Sequence, residues 1–357
     1  MKKILVFGGS FSPIHQGHIQ MIEAAKKEIP FDEILLVVAK TPRWKTIDVD
    51  PMDRWNMVEL VAKKYGYTLS DIEFKKEGIN YTVDTLEQLT RKEEAEWYFL
   101  MGGDEFLKFK DWKEPNRIAS LCHILVYPRG EKIPDELWDL YHAKRLVGPL
   151  NLVSSSEIRE MKKLSAMEEE VLAYIYEHRL YFAKKVQGYE SKARYEHSCS
   201  VSLTARKIAI ANQLNVEEAL VAGLLHDIGK DIAREEVTKI MQEHFPEKME
   251  MPTFSYHQFV GSYLAETVFH QKEEVVHAIQ VHATGEEKMS SLDKVIYASD
   301  KIEPTRGYDS SSLIQACVDD LDKGFVEVLE ENRKFLLSEG KEIHNPMTDR
   351  CFRYYLD

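Results

Sequence analysis

The segment from Lys3 to His18, KILVFGGSFSPIHQGH, decides how this chain must be read. Residues 4–7 are a strand-length apolar run, Gly8 and Gly9 break it, and an amphipathic pattern begins at Gly17. A strand, a glycine turn and a helix start form the place where backbone N–H groups and a helix dipole meet a phosphate. His15 and His18 are three residues apart, so in a first helical turn they face one way. Two imidazoles there can donate hydrogen bonds to a polyphosphate and stabilise charge developing on a leaving pyrophosphate.

Working outward, further strand-like runs lie at 33–39, 68–72, 97–101 and 123–127, with helical patterns at 17–28, 52–64 and 82–94. Apolar strands separated by helices indicate a parallel sheet covered on both faces, with its ligand site beyond the carboxyl ends of the strands. After Ser154 the strand signals stop. Helical patterns at 156–163 and 167–179 lead into a polar stretch at 183–192. Everything beyond reads as helix: 195–214, 216–226, 235–244, 257–269, 273–282, 291–302 and 312–337. The expected organisation is an α/β domain over 1–183, a linker at 184–192, an all-α domain over 193–340 and a tail at 341–357.

The composition agrees with two domains. The chain has 357 residues, 47 Lys+Arg against 60 Asp+Glu, and a formal charge of −13. An acidic balance argues against broad binding to nucleic-acid backbones, but small phosphorylated ligands need only a few local donors. Cys122, Cys199, Cys317 and Cys351 are far apart and form no CxxC pair, which predicts a reduced, cytoplasmic protein without a structural zinc knuckle. The opening apolar run stops at Gly8, too short for a signal peptide, and no stretch approaches the roughly 18 apolar residues of a membrane span.

Two further segments carry chemistry. Residues 153–159, VSSSEIR, place hydroxyls before a helix start and an arginine, Arg159, within its first turn. In the helical half, His226-Asp227 ends an apolar run at 219–225 and is followed by Ile228-Gly229-Lys230. His197, His257, His282 and Asp300 each lie on a helix or at its end. Six nitrogen and oxygen donors without a thiolate suit iron or manganese rather than a structural zinc site. Two such ions bind phosphate and make hydroxide from water at neutral pH. The remaining histidines, 123, 142, 178, 244, 270, 277 and 344, are left without a role.

The first half resembles the HxGH nucleotidyltransferases, and within them the nicotinate-nucleotide adenylyltransferases. GGSFSPIHQGH and SSSEIR carry the resemblance, together with Asp53-Arg54, YTVDTL (81–86), Gly102-Gly103-Asp104, Trp112 and Pro128-Arg129-Gly130. It implies a Rossmann-like domain in which nicotinate mononucleotide attacks the α-phosphorus of ATP and releases pyrophosphate, with Mg²⁺ bridging. Such transfer needs alignment and charge stabilisation rather than a covalent nucleophile. The resemblance implies that His15 and His18 hold the phosphates at the turn of Gly8, Gly9 and Ser10. Lys45, Ser155, Ser156 and Arg159 are further phosphate contacts. Thr85, Trp112 and Arg129 line the nicotinate side, and Gly102 and Asp104 the adenosine side. Ser12 stands where the family usually has Asp, and Trp44 where it usually has His.

The second half resembles the HD-domain hydrolases of the YqeK-type symmetrical diadenosine tetraphosphatases. It does so through RYEH (194–197), AGLLHDIGK (222–230), HATG (282–285) and YASDKIEP (297–304) with Arg306. This implies cleavage of Ap4A to two ADP at a di-iron centre. The implied metal ligands are His197, His226, Asp227, His257, His282 and Asp300, with Lys230, Lys301 and Arg306 facing phosphates. The rival reading rests on two pentapeptides: GGDEF (102–106), the signature of diguanylate cyclases, and HDIGK, which also occurs in cyclic-di-GMP phosphodiesterases. A pair of degenerate nucleotide-sensing domains is the non-enzymatic alternative.

Overall fold

Six strands, β1 (Lys3–Gly9), β2 (Glu33–Val38), β3 (Thr68–Ser70), β4 (Glu96–Gly102), β5 (His123–Tyr127) and β6 (Lys144–Arg145), form one sheet in the order β3-β2-β1-β4-β5-β6. Every pairing is parallel. The computed structural model describes residues 1–42, 47–150, 153–338 and 345–357. Ile4, Val6, Leu35, Val37, Phe99, Met101, Ile124 and Val126 share one cluster with Val83, Leu86 and Leu89 of the Thr82–Lys92 helix. The alternate residues Leu5, Leu36, Leu100 and Leu125 are equally buried. Both faces of the sheet are therefore covered, which is why its strands read as continuous apolar runs rather than alternating ones.

From β1 the chain builds β2 and β3 on one side, then crosses to β4, β5 and β6 on the other. The carboxyl ends of β1 and β4 flank this reversal, the place where doubly wound sheets bind ligands. Gly8-Gly9 and Gly102 both end there. The helix Pro51–Tyr65 shows the local logic: Asp50 accepts from the Met52 amide at 2.7 Å, Pro51 takes the first position, and Gly66 ends it at φ 71°.

The chain divides into two compact units, Met1–Tyr174 and Ile175–Asp357, nine residues before the boundary expected at 183. The first four residues of the expected linker at 184–192 belong to the Phe182–Gln187 helix, whose Phe182, Ala183 and Val186 are buried. A helix of six residues is too short to print a periodicity. The expected tail contains the helix Pro346–Leu356, with Met347, Cys351 and Phe352 buried on one stripe. Gly285, at φ 66°, approaches it so closely that a Cβ there would lie 2.6 Å from Cys351 Sγ. The four cysteines are free and buried.

The second unit is helical among its described residues, as expected, with one division of a predicted element. The pattern at 312–337 is two helices, Ser311–Asp319 and Leu321–Ser338, with Asp320 extended between them. Asn212 bridges the break: its amide nitrogen donates to the Cys317 carbonyl at 2.8 Å, and its oxygen accepts from the Leu321 amide at 3.1 Å. The helix expected at 156–163 is likewise shorter, Ser155–Arg159, and the two-residue edge strand β6 carried no sequence signal. Among the described residues no helix is long and apolar enough to cross a membrane.

Where the chain doubles back at Asp320, Gly324 meets backbone: a Cβ there would lie 2.4 Å from Cys317 N and 2.5 Å from its Cα. Alanine improves helix propensity by about 1 kcal/mol. Overpacking against backbone costs about 1–3 kcal/mol, so the clash decides the sign. Gly324→Ala is expected to lower stability in urea unfolding of the whole protein; an unchanged or higher midpoint contradicts this packing.

Candidate active sites

In the first unit, His15 is the N-cap of the Gln16–Glu28 helix and His18 its third residue, and they cap it reciprocally. His15 Nδ1 accepts from the Gly17 amide at 3.1 Å, and His18 Nδ1 accepts from the His15 amide at 3.2 Å. This is the geometry of a Ser/Glu capping box carried by two imidazoles. Their ring centroids are 3.9 Å apart. An Nδ1 that accepts leaves the proton of a neutral imidazole on Nε2, so each ring presents an Nε2–H donor. Burial first, and then the nearby Arg129 guanidinium, lower the His15 pKa to about 3. His15 is therefore neutral at physiological pH.

At this turn, where the sequence predicts backbone N–H groups for a phosphate, one amide is already committed. Gly8 and Gly9 still belong to β1, and the Gly17 amide is committed to His15. Between them Phe11 is held at φ 44° with its ring buried, 5.1 Å from the His18 ring. Ser10 is fixed through its carbonyl, which accepts from Arg54 Nη1 at 2.9 Å.

The SSSEIR segment closes on this turn. Ser154 caps the helix in a box with Glu157. Ser155 Oγ donates to the Pro13 carbonyl at 3.1 Å, and Arg159 Nη1 donates to the Ser12 carbonyl at 2.6 Å. Arg159 also donates to Ser156 Oγ at 2.9 Å, and Arg129 Nη2 reaches the Val153 carbonyl at 2.5 Å. His15, His18, Arg129, Ser155, Ser156 and Arg159 thus occupy one neighbourhood. Gly102 adjoins it: a Cβ there would lie 2.6 Å from Asp104 Oδ1 and 3.9 Å from Arg129 Cδ. Thr85 and Trp112 have partners of their own. Buried Thr85 donates to Glu73 Oε1 at 3.0 Å, and Trp112 packs edge-on against Phe109 and Phe99 at 5.4 and 6.3 Å. Lys45 and Trp44 lie outside the described residues.

Arg54, named in the Asp53-Arg54 pair but given no role by sequence reasoning, is a structural centre here. It is 1% exposed and donates to three carbonyls, those of Ser10, Ala39 and Lys40, joining the ends of β1 and β2. Its signal was a charge in register with an apolar stripe, since Met57, Val58, Val61 and Ala62 follow at helical spacing and are buried. The GGDEF pentapeptide forms the end of β4 and the short helix Gly103–Phe106, not a hairpin between strands.

In the second unit the six predicted ligands converge. His226 and His282 follow the last turns of the Val216–Leu225 and Glu273–Val281 helices; His257 is the second residue of Tyr256–Thr267; His197 and Asp300 project from Lys192–Ala211 and Ser291–Ile302. His226 Nδ1 lies 2.8 Å from the Gly223 carbonyl, His257 Nδ1 2.7 Å from Phe254, and His282 Nδ1 2.7 Å from Ile279. A carbonyl can only accept, so these three Nδ1 atoms carry protons and their Nε2 atoms are lone pairs. Those lone pairs face one another: His226 Nε2 lies 3.2 Å from that of His197, and His257 Nε2 3.3 Å from that of His282. Asp227 Oδ1, buried without a hydrogen-bond partner, is 3.4 and 3.5 Å from the His282 and His257 nitrogens. Asp300 Oδ1 is 3.1 and 3.5 Å from those of His197 and His226.

A cluster of mutually facing lone pairs and a partnerless buried carboxylate oxygen is what a cation satisfies. The atoms form two overlapping groups, His197–His226–Asp300 and His226–Asp227–His282. The donor set fits divalent metal ions. A third group, His277–Glu286–Asp293, differs: both nitrogens of His277 face carboxylates, at 3.0 and 3.1 Å, which describes an ion-paired imidazolium.

Four cations grip the two aspartates. Arg194 and Lys230 reach Asp227 Oδ2 at 2.9 and 3.0 Å; Lys301 reaches Asp300 Oδ2 at 2.7 Å, and Arg306 contacts Oδ1. Burial opposes ionisation of both aspartates, but the neighbouring positive and imidazole groups hold both well below the usual carboxylate range. Burial lowers the Lys301 pKa and brings that of His257 to about 3. Gly229 is required by space: a Cβ there would lie 2.5 Å from the His257 carbonyl, so glycine lets the HDIGK turn lie against the helix that supplies His257. Arg194 and Glu303 were not among the expected site residues, although Arg194 shares a helix face with His197 three residues on.

Two family models match the chain, "Cytidylyltransferase-like" over residues 6–161 and "HD domain" over 194–305. A Mycoplasma genitalium protein named "Probable nicotinate-nucleotide adenylyltransferase/Ap4A hydrolase" is 28% identical over 315 residues, 85% of this chain and 88% of its own. Its Mycoplasma pneumoniae counterpart of the same name is 28% identical over 332 residues, 89% of this chain and 95% of its own. A Lachnoclostridium phytofermentans protein named "Probable nicotinate-nucleotide adenylyltransferase" is 34% identical over 199 residues, 51% of this chain and all of its own.

Neutral, buried His15 has a consequence for stability. Between an unfolded pKa near 6.5 and the folded value of about 3, the unfolded chain binds a proton that the folded protein does not, so stability falls as pH drops through that window. At pH 5 the loss is about 2 kcal/mol relative to pH 7.5. His15→Gln should remove this component. Urea unfolding of both proteins at the two pH values checks it, and parallel pH dependences would refute the burial of a neutral ring.

Proposed function

Because the chain belongs, over its first half, to the nicotinate-nucleotide adenylyltransferase family and continues into an HD domain, we propose that it couples deamido-NAD⁺ synthesis to symmetrical hydrolysis of diadenosine tetraphosphate. In the first reaction the 5′-phosphate of nicotinate mononucleotide attacks the α-phosphorus of ATP and pyrophosphate leaves. The observation that carries this reading is the reciprocal histidine cap, which commits both Nδ1 atoms to backbone amides and so leaves the ring protons on Nε2, just beyond the end of β1. Donors held rigidly by a helix cap need no reorganisation as charge moves onto the leaving group. Arg159, Arg129, Ser155 and Ser156 add cationic and hydroxyl groups beside them. Lys45 belongs to the same proposal by resemblance, as do Thr85 and Trp112 on the nicotinate side and Gly102 and Asp104 on the adenosine side. Mg²⁺, when bound, neutralises the triphosphate.

For the second unit we propose that water cleaves Ap4A to two ADP. His197, His226 and Asp300 would hold one divalent cation, and Asp227, His257 and His282 a second. When bound, such cations neutralise phosphate charge and acidify water. Nitrogen and oxygen donors without thiolate favour iron or manganese. Lys230, Lys301 and Arg306, which grip the two aspartates, are placed to turn toward phosphate oxygens as cations take over the carboxylates.

A substrate panel on the intact protein tests both halves: nicotinate against nicotinamide mononucleotide with ATP, and Ap4A against cyclic-di-GMP with iron or manganese. His18→Ala is expected to reduce pyrophosphate release by at least about 100-fold, the scale of one oxyanion-type donor; near wild-type turnover would remove the assigned role. Asp227→Ala should lose bound metal and Ap4A cleavage while keeping adenylyl transfer. Cleavage of cyclic-di-GMP with Ap4A left intact would favour the rival reading.

A further inference from the structure

The four histidines of the second unit are not held alike. His226, His257 and His282 each lean on a backbone carbonyl three residues back. His197 leans on a carboxylate: its Nδ1 lies 2.9 Å from Glu303 Oε1. Glu303 is 1% exposed and doubly pinned. Its Oε2 accepts from the Thr305 amide at 2.7 Å, and Thr305 Oγ1 donates to both oxygens at 2.7 Å. Both oxygens are thus occupied behind the ring, which places Glu303 as a support for His197 rather than a ligand.

A carboxylate behind a metal-binding imidazole fixes the ring's orientation and raises its donor strength, and removing such a partner commonly costs 10–100-fold in metal affinity. A backbone carbonyl supplies the orientation with only a partial charge. Of the two overlapping donor groups, only His197–His226–Asp300 contains the carboxylate-backed ring. Arg306 also touches Asp300 and approaches His197 Nε2 at 3.4 Å, but it is 38% exposed and can withdraw, whereas Glu303 is locked in place.

We propose that Glu303 is a positioning residue that makes the two cation positions unequal, so that the His197–His226–Asp300 position fills before the Asp227–His257–His282 position. The proposal rests on the two-cation reading of this unit, and its test separates the two. Metal-free full-length protein is titrated with Mn²⁺ at equilibrium, and bound and free ion are counted by electron paramagnetic resonance and elemental analysis. Wild type should take up two ions per chain in two steps. Glu303→Gln, which keeps the side-chain shape, should weaken the tighter step by about 10–100-fold and leave the weaker step in place. His257→Ala should instead remove the weaker step while keeping the sensitivity to Glu303→Gln. His197→Ala should abolish the tighter step and make Glu303→Gln silent, an outcome that a merely structural role of Glu303 would not produce. Thermal unfolding by circular dichroism confirms that each variant is folded. Equal weakening of both steps, no weakening, or an undiminished Glu303→Gln effect in the His197→Ala background overturns the inference. Fewer than two ions on wild type overturns the two-cation reading, and the inference with it.

Discussion

A histidine has two ring nitrogens, and in both units the fold commits Nδ1 to its own framework. At the end of β1 the Nδ1 atoms of His15 and His18 accept from backbone amides, so Nε2 keeps the proton and donates. In the second unit the Nδ1 atoms of His226, His257 and His282 face carbonyls, so Nε2 is a lone pair and accepts. One residue type thereby presents Nε2 donors in one unit and Nε2 acceptors in the other. The difference lies in which backbone group meets Nδ1, and that is set by chain position. A residue at a helix N-terminus meets free amides, and one at a C-terminus meets free carbonyls; His257, second in its helix, instead meets the Phe254 carbonyl of the preceding turn. His226 and His282 stand just past helix ends.

The same logic governs charge. A chain of net charge −13 that binds polyanionic substrates must concentrate its positive groups. Arg129 and Arg159 gather at the histidine cap, and Arg194, Lys230, Lys301 and Arg306 grip two buried aspartates. A buried carboxylate left unpaired is costly, so the four cations of the second unit stabilise its two aspartates. Arg54 shows the structural counterpart, a buried guanidinium whose two terminal nitrogens donate to three carbonyls at the ends of β1 and β2.

Legibility depended on the length of the signal. β1, β2, β4 and β5 and the helices around them were readable because each buries a run long enough to print its period. The Ser291–Ile302 helix was placed to the residue. Several missed features were short or interrupted: β6, of two residues; Phe182–Gln187, of six; and the break at Asp320, held by the side chain of Asn212 more than a hundred residues away; the helix Pro346–Leu356, of eleven residues, was missed as well. Nothing local to Asp320 announces a break that a distant amide creates.

The sequence by itself determined the succession of a parallel α/β unit and a helical one, because hydrophobic period is a local property. It also determined which histidines, aspartates, lysines and arginines to collect, because HxGH, SSSEIR and HDIGK stand as contiguous motifs. Only the tertiary structure decided which nitrogen of each histidine faces the site, that Arg54 and Arg194 belong to the supporting framework, and that of the four clustered histidines in the second unit only His197 has its Nδ1 backed by a carboxylate. Those facts depend on contacts between residues distant in the chain, 106 positions apart for His197 and Glu303. Such pairings arise only when the helices pack, so no window of sequence contains them.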